Sequence, residues 1–287
     1  MPVRPLRQFY ADERTLALHG LPPALEPFRR HRERFLGALA SLSDDEWVAT
    51  TRCEAWSAKE VCCHLVTADG FWALTLEGRH AADPSTYLRG FDPTTSPDGV
   101  IGSLRERAPA AVLDALTAST TVLAEALAAI GEDEWSLPSE SPFGHVPLRA
   151  IAAHSLWDSW LHERDVLVPL GRPPAVDAEE LLTAAAFTLY LGGTQGGVLD
   201  DPAPVGDGPT GPVDGAVRFD DLPGHVLRLC VDRDVRVLVE GPGTDVPAVG
   251  SAVTFVEAIT GRAPAGPTLE RLPAELAAQL DRARRIL

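Results

Sequence analysis

The sequence has few positive charges. It contains 25 Lys and Arg residues against 41 Asp and Glu residues, which gives a formal net charge of −16 at pH 7. Nearly all of the positive residues are arginine, a bias that is typical of GC-rich genomes such as those of actinobacteria. Proteins that bind nucleic acids concentrate Lys and Arg on one surface, where they neutralise phosphates and release counterions. The charge balance therefore predicts no nucleic acid as a partner. The expected partner is a small-molecule substrate, for which the reasons follow below.

The sequence also lacks long apolar runs and is poor in cysteine. No stretch of about 18 consecutive apolar residues is present, and the first residues contain no apolar core of a secretion signal. The four cysteines are too few for a disulfide scaffold in a chain of 287 residues, so we expect free thiols. These absences predict no membrane partner and a cytoplasmic location. For the oligomeric state we expect a monomer or a homodimer.

Helical periodicity covers the first part of the chain. From about residue 26 to residue 170, apolar residues recur at spacings of three and four. Ser57 precedes Glu60 by three residues, as in a capping box that starts a helix. Several prolines predict a long loop from Arg79 to Gly99, which could act as a lid over a site. The predicted helices of bundle length cover residues 27–42, the stretch after Ser57, residues 101–130 and residues 147–170.

The pattern changes after a further predicted helix over residues 178–190. The segment that follows is dense in Gly and Pro and predicts a linker or irregular structure. Three short runs rich in β-branched residues then predict an antiparallel meander, with two helices packed on it. We therefore expect residues 1–192 to form an α-helical four-helix bundle and residues 193–287 to form a small α+β domain.

Polar side chains occupy the apolar faces of two predicted helices. In the helix that contains WSAKEVCCHLVTADGFW, His64 lies beside a stripe of apolar residues at helical spacing. The helix after residue 147 carries a polar stripe at spacings of four, four and three, formed by His154, Asp158, His162 and Asp165. A buried polar group without a partner costs about 2–7 kcal/mol. These side chains must therefore bind one another or hold a ligand.

A metal ion is the simplest ligand for such a stripe. Asp158 and His162 are one turn apart and can reach one ion, whereas His154 and His162 are about 12 Å apart along the helix axis. A third ligand must come from a facing helix, and His64 is the available inward histidine. Two histidines and a carboxylate suit Zn²⁺ and leave a position open for water or substrate, which favours catalysis. On the residues alone, a hydrogen-bonded core histidine and a surface Asp-His pair remain alternatives.

The two polar helices together resemble a known family, the mycothiol-dependent maleylpyruvate isomerases, whose helical domain is similar to the DinB-like metalloenzymes. The first signature of the family is a tryptophan followed by a helix with a His-Leu pair, here Trp56 and His64-Leu65. The second is a carboxylate, three residues, a histidine and a further Asp, which stand here in LWDSWLHERDVLVPLGRP. The resemblance extends over most of the chain, and the C-terminal part is similar to the smaller, sterol-carrier-like domain of these isomerases.

The resemblance implies roles for individual residues. Transferred position by position, it makes His64, Asp158 and His162 the metal ligands. The founding pattern of the family has glutamate at the position of Asp158, which is one methylene shorter. His154 is then either a substitute ligand or an outer partner of the metal. Asp165 either orients His162 from outside the metal centre or forms a surface ion pair with a neighbouring arginine.

The resemblance also implies the chemistry. The nucleophile would be a small cytosolic thiol, mycothiol, held by the metal as a thiolate. Thiolate addition to a conjugated double bond, rotation and elimination would give an isomerase, and retention of the adduct would give an S-transferase, in either case with a small, maleylpyruvate-like electrophile. Two alternatives stay open. Metal-bound water would make the protein a hydrolase or a specialised biosynthetic enzyme, and histidines without metal would belong to a non-enzymatic carrier of an apolar ligand.

The protein's own cysteines and C-terminal arginines are not expected to be reactive or substrate-binding groups. Cys62 and Cys63 point about 100° apart on one helix and are predicted to be packing residues. Cys53, in the loop before Trp56, is predicted to be a buried thiol that could approach the site. The arginines of the C-terminal part are expected to be solvated charges outside the site; these are Arg218, Arg228, Arg236 and Arg262.

Overall fold

Helices form the N-terminal region of the protein, and a sheet with three further helices forms the C-terminal region. The computed structural model describes residues 6–10, 15–81, 83–93, 95–196, 212–243 and 245–284. The helices are α1 (Leu25–Ala40), α2 (Asp44–Trp47), α3 (Ala58–Glu77), α4 (Ser96–Val100), α5 (Gly102–Arg105), α6 (Pro109–Ala128), α7 (Leu148–Leu167), α8 (Ala178–Gln195), α9 (Ala252–Ile259), α10 (Gly266–Leu269) and α11 (Ala274–Ala283). The strands are β1 (Leu16–His19), β2 (Pro138–Ser141), β3 (Gly144–Pro147), β4 (Val213–Arg218), β5 (Val226–Val231) and β6 (Val235–Glu240).

Local signals determine where the long helices begin. The Ser57 hydroxyl accepts a hydrogen bond from the backbone N–H of Glu60, and the Glu60 carboxylate accepts one from the backbone N–H of Ser57. The capping box predicted at the start of α3 is therefore confirmed. The helix predicted over residues 101–130 begins later, because α6 starts at Pro109, whose fixed φ and missing N–H suit a first helical turn.

Helix α7 is enclosed on nearly all sides. Of its 20 residues, all are buried except Arg149 and Asp158. The helix packs against α1, α3 and α8 and against the hairpin of β2 and β3. A polar side chain on any face of α7 therefore needs a partner from a neighbouring element.

The sheet of the C-terminal region has four strands in the order β1-β6-β5-β4. Strands β4, β5 and β6 form the predicted antiparallel meander. Strand β1, from the N-terminal segment, adds to the edge in parallel with β6, with Leu16 opposite Val235. Leu16 and Leu18 are both buried because alternate residues of a strand face the same side. The N-terminal segment, for which the sequence suggested no role, thus extends the C-terminal sheet.

Strands β2 and β3 form a hairpin between the helices predicted over residues 101–130 and 147–170. Each strand has four residues, and Pro, Ser and Gly give them low β-propensity. The backbone of Phe9 pairs with the hairpin, donating to the Phe143 carbonyl at 2.8 Å and accepting from the His145 N–H at 2.8 Å. The close approach of Phe9 to the hairpin requires glycine at residue 144. Gly144 has φ of +87°, and a Cβ there would lie 2.4 Å from the Phe9 carbonyl oxygen.

Helix α8 joins the two regions. It packs against α7 and α1 as well as against β5, β6, α9 and α11, and every residue from Glu180 to Gln195 is buried. One apolar cluster contains side chains from both regions, such as Phe187 and Val235. The predicted boundary between residues 192 and 193 falls inside α8, and the division into two domains stays a prediction. Most of the predicted linker, residues 197–211, lies outside the described residues.

Among the described residues, α6 alone is long and apolar enough, by length and composition, to cross a membrane. The side chains of Val112, Leu116, Leu123 and Leu127 are buried, and the helix packs against α1 and α3. Core helices of water-soluble proteins pass the same test, so this is weak evidence for a membrane span. The absence of a membrane partner stays a prediction.

Close packing of α8 on the sheet requires a glycine at residue 193. A Cβ on Gly193 would lie 2.5 Å from Cγ1 of Val235 and 2.8 Å from Cδ1 of Leu229. We expect Gly193→Ala to lower the free energy of unfolding by about 1–3 kcal/mol, the usual cost of extra atoms in a packed core. Chemical denaturation measures this change.

Gly37→Ala is the matched control. Gly37 lies in α1, and nothing lies within 4 Å of its Cβ position. Its replacement should raise the free energy of unfolding by about 0.5–1 kcal/mol, because alanine has the higher helix propensity. Stabilisation by both substitutions would contradict the tight contact between α8 and the sheet.

Candidate metal centre and its cavity

Three side chains from α3 and α7 meet between the two helices. Nε2 of His64 lies 3.3 Å from Oδ2 of Asp158, and Nε2 of His162 lies 3.4 Å from Oδ1 of the same carboxylate. One ligand atom from each residue lies within 4.8 Å of the other two. The structure therefore brings the three predicted ligands together, and we call them the His-Asp-His cluster. The shorter aspartate reaches both imidazoles.

The spacing of the His-Asp-His cluster fits a divalent metal ion. Zn²⁺ binds nitrogen and carboxylate oxygen at about 2.0–2.2 Å, so two ligands of a tetrahedral ion are about 3.3–3.5 Å apart. Direct N–H···O hydrogen bonds are usually shorter, at about 2.9–3.0 Å. The observed separations of 3.3 and 3.4 Å are compatible with ligands around one ion, and the contact between His64 and Asp158 is also within hydrogen-bond reach.

The cluster is strongly coupled electrostatically. Burial by itself raises the pKa of Asp158, but the imidazoles of His162 and His64 outweigh burial and hold this pKa well below its usual value. Burial lowers the pKa of His162, but the Asp158 carboxylate outweighs it and raises this pKa well above its usual value. Without a metal, His162 therefore carries a proton beside an ionised Asp158, and an incoming cation must displace that proton.

Asp165 orients His162. Its Oδ2 accepts a hydrogen bond from Nδ1–H of His162 at 3.1 Å, which leaves Nε2 directed toward Asp158. Asp165 is fully buried and accepts from Arg262 Nε at 3.0 Å, from Arg262 Nη2 at 2.7 Å and from Arg52 Nε at 3.2 Å. Burial would raise the pKa of Asp165, but His162 and Arg262 hold it well below its usual value. A carboxylate that fixes the tautomer of a ligand histidine is the usual outer partner of a metal centre.

Arg262 lies in the site, and the expectation that it is a solvated charge is wrong. Gly261 turns the chain after α9 with φ of +79°, and the Arg262 side chain then crosses to α7 and lines the cavity described below. The other three arginines contact groups of the C-terminal region: Arg218 the Val246 carbonyl, Arg228 Asp214 and Glu240, and Arg236 Asp232. The contact between Arg262 and Asp165 joins residues that are far apart in the sequence, so no local sequence pattern could predict it.

Cys53 also reaches the site. Its Sγ lies 3.7 Å from Nδ1 of His162 and donates to Oδ2 of Asp165 at 3.2 Å. These three residues form a second group with metal-ligand spacing. Asp165 is already bound by two arginines, whose charges repel a cation, so the His-Asp-His cluster is the better metal site. Cys62 and Cys63 are fully buried among apolar side chains, as predicted for packing residues.

His154 lies apart from the His-Asp-His cluster. It is 7% exposed, and its ring is nearly parallel to those of Phe143 and Phe187, with centroids at 5.4 and 4.7 Å. Burial lowers the pKa of His154 to about 4, against the opposing charge of Asp158, so the imidazole is neutral at neutral pH. In the described part of the chain, no hydrogen bond joins it to the cluster, and its role as an outer partner of the metal stays a prediction.

A cavity with a volume of about 550 Å³ opens beside the cluster. All three cluster residues lie in its wall, and aromatic side chains form much of the remainder. The loop that the sequence predicted as a lid contributes residues 87–91 and Pro93 to the same wall. The size and the mixture of apolar walls with a few polar groups are those of a small-molecule site.

Comparison with known proteins identifies the helical region. Residues 28–167 match the family model of the mycothiol maleylpyruvate isomerase N-terminal domain. The helical region of the chain belongs to this family. The family assignment made from the two signature helices is thereby confirmed, and the matched residues include the whole His-Asp-His cluster.

Two solved structures of the family have a similar fold. The crystal structure of a histidine-to-alanine mutant of the mycothiol-dependent maleylpyruvate isomerase has a TM-score of 0.57 at 18% identity, with 86% of this chain and 92% of that chain covered. The crystal structure of the mycothiol-dependent maleylpyruvate isomerase has a TM-score of 0.52 at 18% identity, with 84% and 88% covered. At this sequence identity, the comparison shows that the chain and these two structures share a fold. No curated protein matches the sequence.

A buried carboxylate fastens the loop over the cavity. Glu140 of β2 is fully buried. Its Oε1 accepts from the Tyr10 hydroxyl at 2.8 Å and the Leu88 N–H at 2.7 Å, and its Oε2 accepts from the Ser85 hydroxyl at 2.7 Å and the Tyr87 N–H at 2.8 Å. The sequence contained no local signal for the role of Glu140, because all four donors lie far from it along the chain.

We expect Glu140→Gln to loosen this loop. In glutamine, an NH₂ group replaces one of the two carboxylate oxygens. The two groups that donate hydrogen bonds to that oxygen would then face another donor, and an unpaired buried polar group costs about 1–3 kcal/mol. Hydrogen exchange at the Tyr87 and Leu88 amides should become at least about tenfold faster. Glu125→Gln, on the exposed face of α6, is the control and should leave both rates unchanged. Equal protection in the Glu140 variant and the wild type would rule out a fastening role.

Proposed function

We propose that this protein is a metal-dependent enzyme that uses mycothiol as an isomerase or S-transferase for a small electrophilic substrate such as maleylpyruvate. The observation that carries this proposal is the position of the His-Asp-His cluster in the wall of an apolar cavity. Three protein ligands leave a coordination position that a thiol in the cavity can reach. Membership of the helical region in the mycothiol maleylpyruvate isomerase N-terminal domain family supports mycothiol as that thiol.

The residues of the site have distinct roles in this proposal. His64, Asp158 and His162 would hold the ion, and zinc suits two imidazoles and a carboxylate. When bound, zinc lowers the pKa of a thiol and so supplies a thiolate nucleophile near neutral pH. Asp165 keeps the proton of His162 on Nδ1, so that Nε2 presents its lone pair to the ion.

Arg262 would bind the substrate. Asp165 and the Thr260 carbonyl engage three of its five N–H groups. Since the side chain lines the cavity, the other N–H groups are available to an oxygen that gains negative charge when a thiol adds to the conjugated carbon. A fixed cation at that position would stabilise the developing charge without reorganisation.

The cavity favours a thiol over water as the nucleophile. Its volume of about 550 Å³ is large enough for part of a thiol cofactor together with a small substrate. Side chains such as Phe71, Trp72 and Trp157 would exclude water from the reacting atoms. A hydrolase that uses metal-bound water would gain nothing from that exclusion, and a carrier of an apolar ligand would not need the His-Asp-His cluster.

We also propose that the fold consists of a DinB-like bundle and a sterol-carrier-like domain. Helices α1, α3, α6 and α7, which pack on one another, would be a DinB-like four-helix bundle. The sheet with α9 and α11 would be a sterol-carrier-like domain. A cytoplasmic location would expose the site to a small thiol in a reducing compartment.

The metal assignment can be tested by elemental analysis. We expect about one divalent ion per chain, and we expect His64→Ala and His162→Ala to reduce the affinity by more than about 100-fold, beyond the loss usual for an outer partner. Asp158→Glu should retain metal because it keeps a carboxylate, whereas Asp158→Ala should lose most of it. The affinity should fall as the pH falls, since protons compete for the imidazoles and His162 holds its proton tightly.

His80→Ala provides the control for the metal experiment. His80 is exposed and pairs with Glu134, away from the cluster. This variant should bind metal like the wild type. Undiminished metal in both the His64 and His162 variants would overturn the site.

The thiol can be tested on cobalt-substituted protein. Mycothiol should produce a new sulfur-to-metal absorption band, because soft thiolates bind well to such metals beside imidazole ligands. The band should be absent in His162→Ala. With the zinc protein, conversion of a cis-enedioate should require mycothiol. Activity that persists without any thiol would instead support a nucleophilic water.

A further inference from the structure

The loop over the cavity places a positive charge in the cavity wall. Among the described residues of the wall, the charged side chains other than histidines are those of Asp158, Arg262 and Arg89. Asp158 lies against two imidazoles, and Asp165 neutralises Arg262. Arg89 is exposed, and no acidic side chain in the part of the chain that the structure describes forms an ion pair with it. A chain with a net charge of −16 thus presents a cation to the cavity that is open to a ligand.

Hydrogen bonds fix the backbone on both sides of Arg89. The Leu88 N–H donates to the buried carboxylate of Glu140 at 2.7 Å, and the Leu88 carbonyl accepts from Nε2 of Gln8 at 2.6 Å. The Gly90 N–H donates to Oε1 of Gln8 at 2.7 Å. Gly90 has φ of +83°, a conformation that glycine adopts without strain. The position of Arg89 at the cavity is therefore set before a ligand binds.

An aromatic ring holds the side chain of Arg89. The guanidinium carbon lies 4.3 Å from the centroid of the Tyr10 ring, and the Tyr10 hydroxyl is fixed by its hydrogen bond to Glu140 at 2.8 Å. The Glu140 carboxylate already accepts from four donors, none of which belongs to this guanidinium. A guanidinium that stacks on a ring can still donate hydrogen bonds in its own plane. The N–H groups of Arg89 are therefore available to an oxygen of a ligand.

A carboxylate is the ligand group that best matches this arginine. The planar fork of N–H groups fits the two oxygens of a carboxylate, and such charge-assisted hydrogen bonds are about twice as strong as neutral ones. Arg89 and Tyr87 are exposed, whereas His162 in the same cavity wall is buried. The cavity thus extends from the surface at the loop to the His-Asp-His cluster. One ligand can bind Arg89 with a carboxylate at one end and direct its other end toward the cluster.

We propose that Arg89 determines the specificity for an anionic substrate by binding a carboxylate at the entrance of the cavity, with the reacting part of the same molecule directed toward the His-Asp-His cluster. This inference rests on the proposed function for the chemistry at the metal, and it assigns a residue to the other end of the substrate. A small dicarboxylate such as maleylpyruvate has a carboxylate for this position. Arg89 binds and orients the substrate, and it takes no part in making or breaking bonds.

The test measures binding by calorimetry on the full chain, after a chelator has removed metal and has itself been dialysed away. The probes are maleate and dimethyl maleate, which share a carbon skeleton and differ in charge. We expect the wild type to bind maleate at least about tenfold more tightly than the diester, because only the dianion forms charge-assisted hydrogen bonds with Arg89.

Two variants and a matched control separate the charge from the shape of the side chain. Arg89→Gln should lower the affinity for maleate about tenfold and leave that for dimethyl maleate unchanged. Arg89→Lys keeps the charge but loses the planar fork, so its affinity for maleate should lie between those of Arg89→Gln and the wild type. Arg29→Gln changes the net charge equally at an exposed position of α1, where Arg29 pairs with Glu26, and should change neither affinity. Thermal unfolding of each variant verifies that it is folded.

Each outcome decides the inference independently of the metal. Equal affinity of the wild type for the two probes would overturn it, and so would an unchanged ratio of the two affinities in folded Arg89→Gln. If that variant bound maleate like the wild type but mycothiol more weakly, Arg89 would serve the thiol and the inference would be wrong. Because metal and thiol are absent from the probe titrations, failure of the metal or cobalt experiments would leave these affinities unchanged, and failure here would leave those experiments valid.

Discussion

The ion pair between Asp165 and Arg262 connects the two regions of the protein with the candidate metal centre. Arg262 donates to both oxygens of Asp165, and Asp165 in turn accepts from Nδ1–H of His162. Burying Asp165 without these donors would be costly, since an unpaired buried charge destabilises a protein by about 3–5 kcal/mol. The carboxylate that orients His162 is thus satisfied by donors from both regions, with Arg262 from the C-terminal region and Arg52 from the helical region.

Buried charges on the other faces of α7 also need partners from neighbouring helices. On one of them, Glu163 is fully buried and binds Arg34 through two hydrogen bonds, and Arg34 also binds Glu180 of α8. Such pairs contribute specificity of packing more than net stability, because desolvation offsets much of the attraction. They hold α1, α7 and α8 in one arrangement and so keep Asp158 and His162 facing α3. The candidate metal centre is thus positioned in part by ion pairs outside the His-Asp-His cluster.

The cavity wall contains two kinds of surface. One part of the wall presents the His-Asp-His cluster and Arg262, and another presents aromatic side chains such as Trp72 and Trp157 beside His154. The loop between α3 and α4 covers both, and the buried Glu140 of the hairpin fastens it through four donors. The N-terminal segment takes part as well, since Tyr10 is one of those donors and β1 extends the sheet.

The sequence by itself determined the helices and the three candidate ligands, whereas the tertiary structure decided which distant residues complete the site. Spacing of four along α7 and a capping box at Ser57 are local, so Asp158, His162 and the start of α3 could be read without coordinates. His64 was the available inward histidine of a facing helix, and the family resemblance selected the same three ligands. Arg262, Glu140 and strand β1 were missed because each depends on a partner far away in sequence, and neither periodicity nor propensity records such a contact. His154 shows the same limit within one helix: its spacing placed it beside the ligands, but the side chains of Phe143 and Phe187 decided that it would lie among aromatic rings.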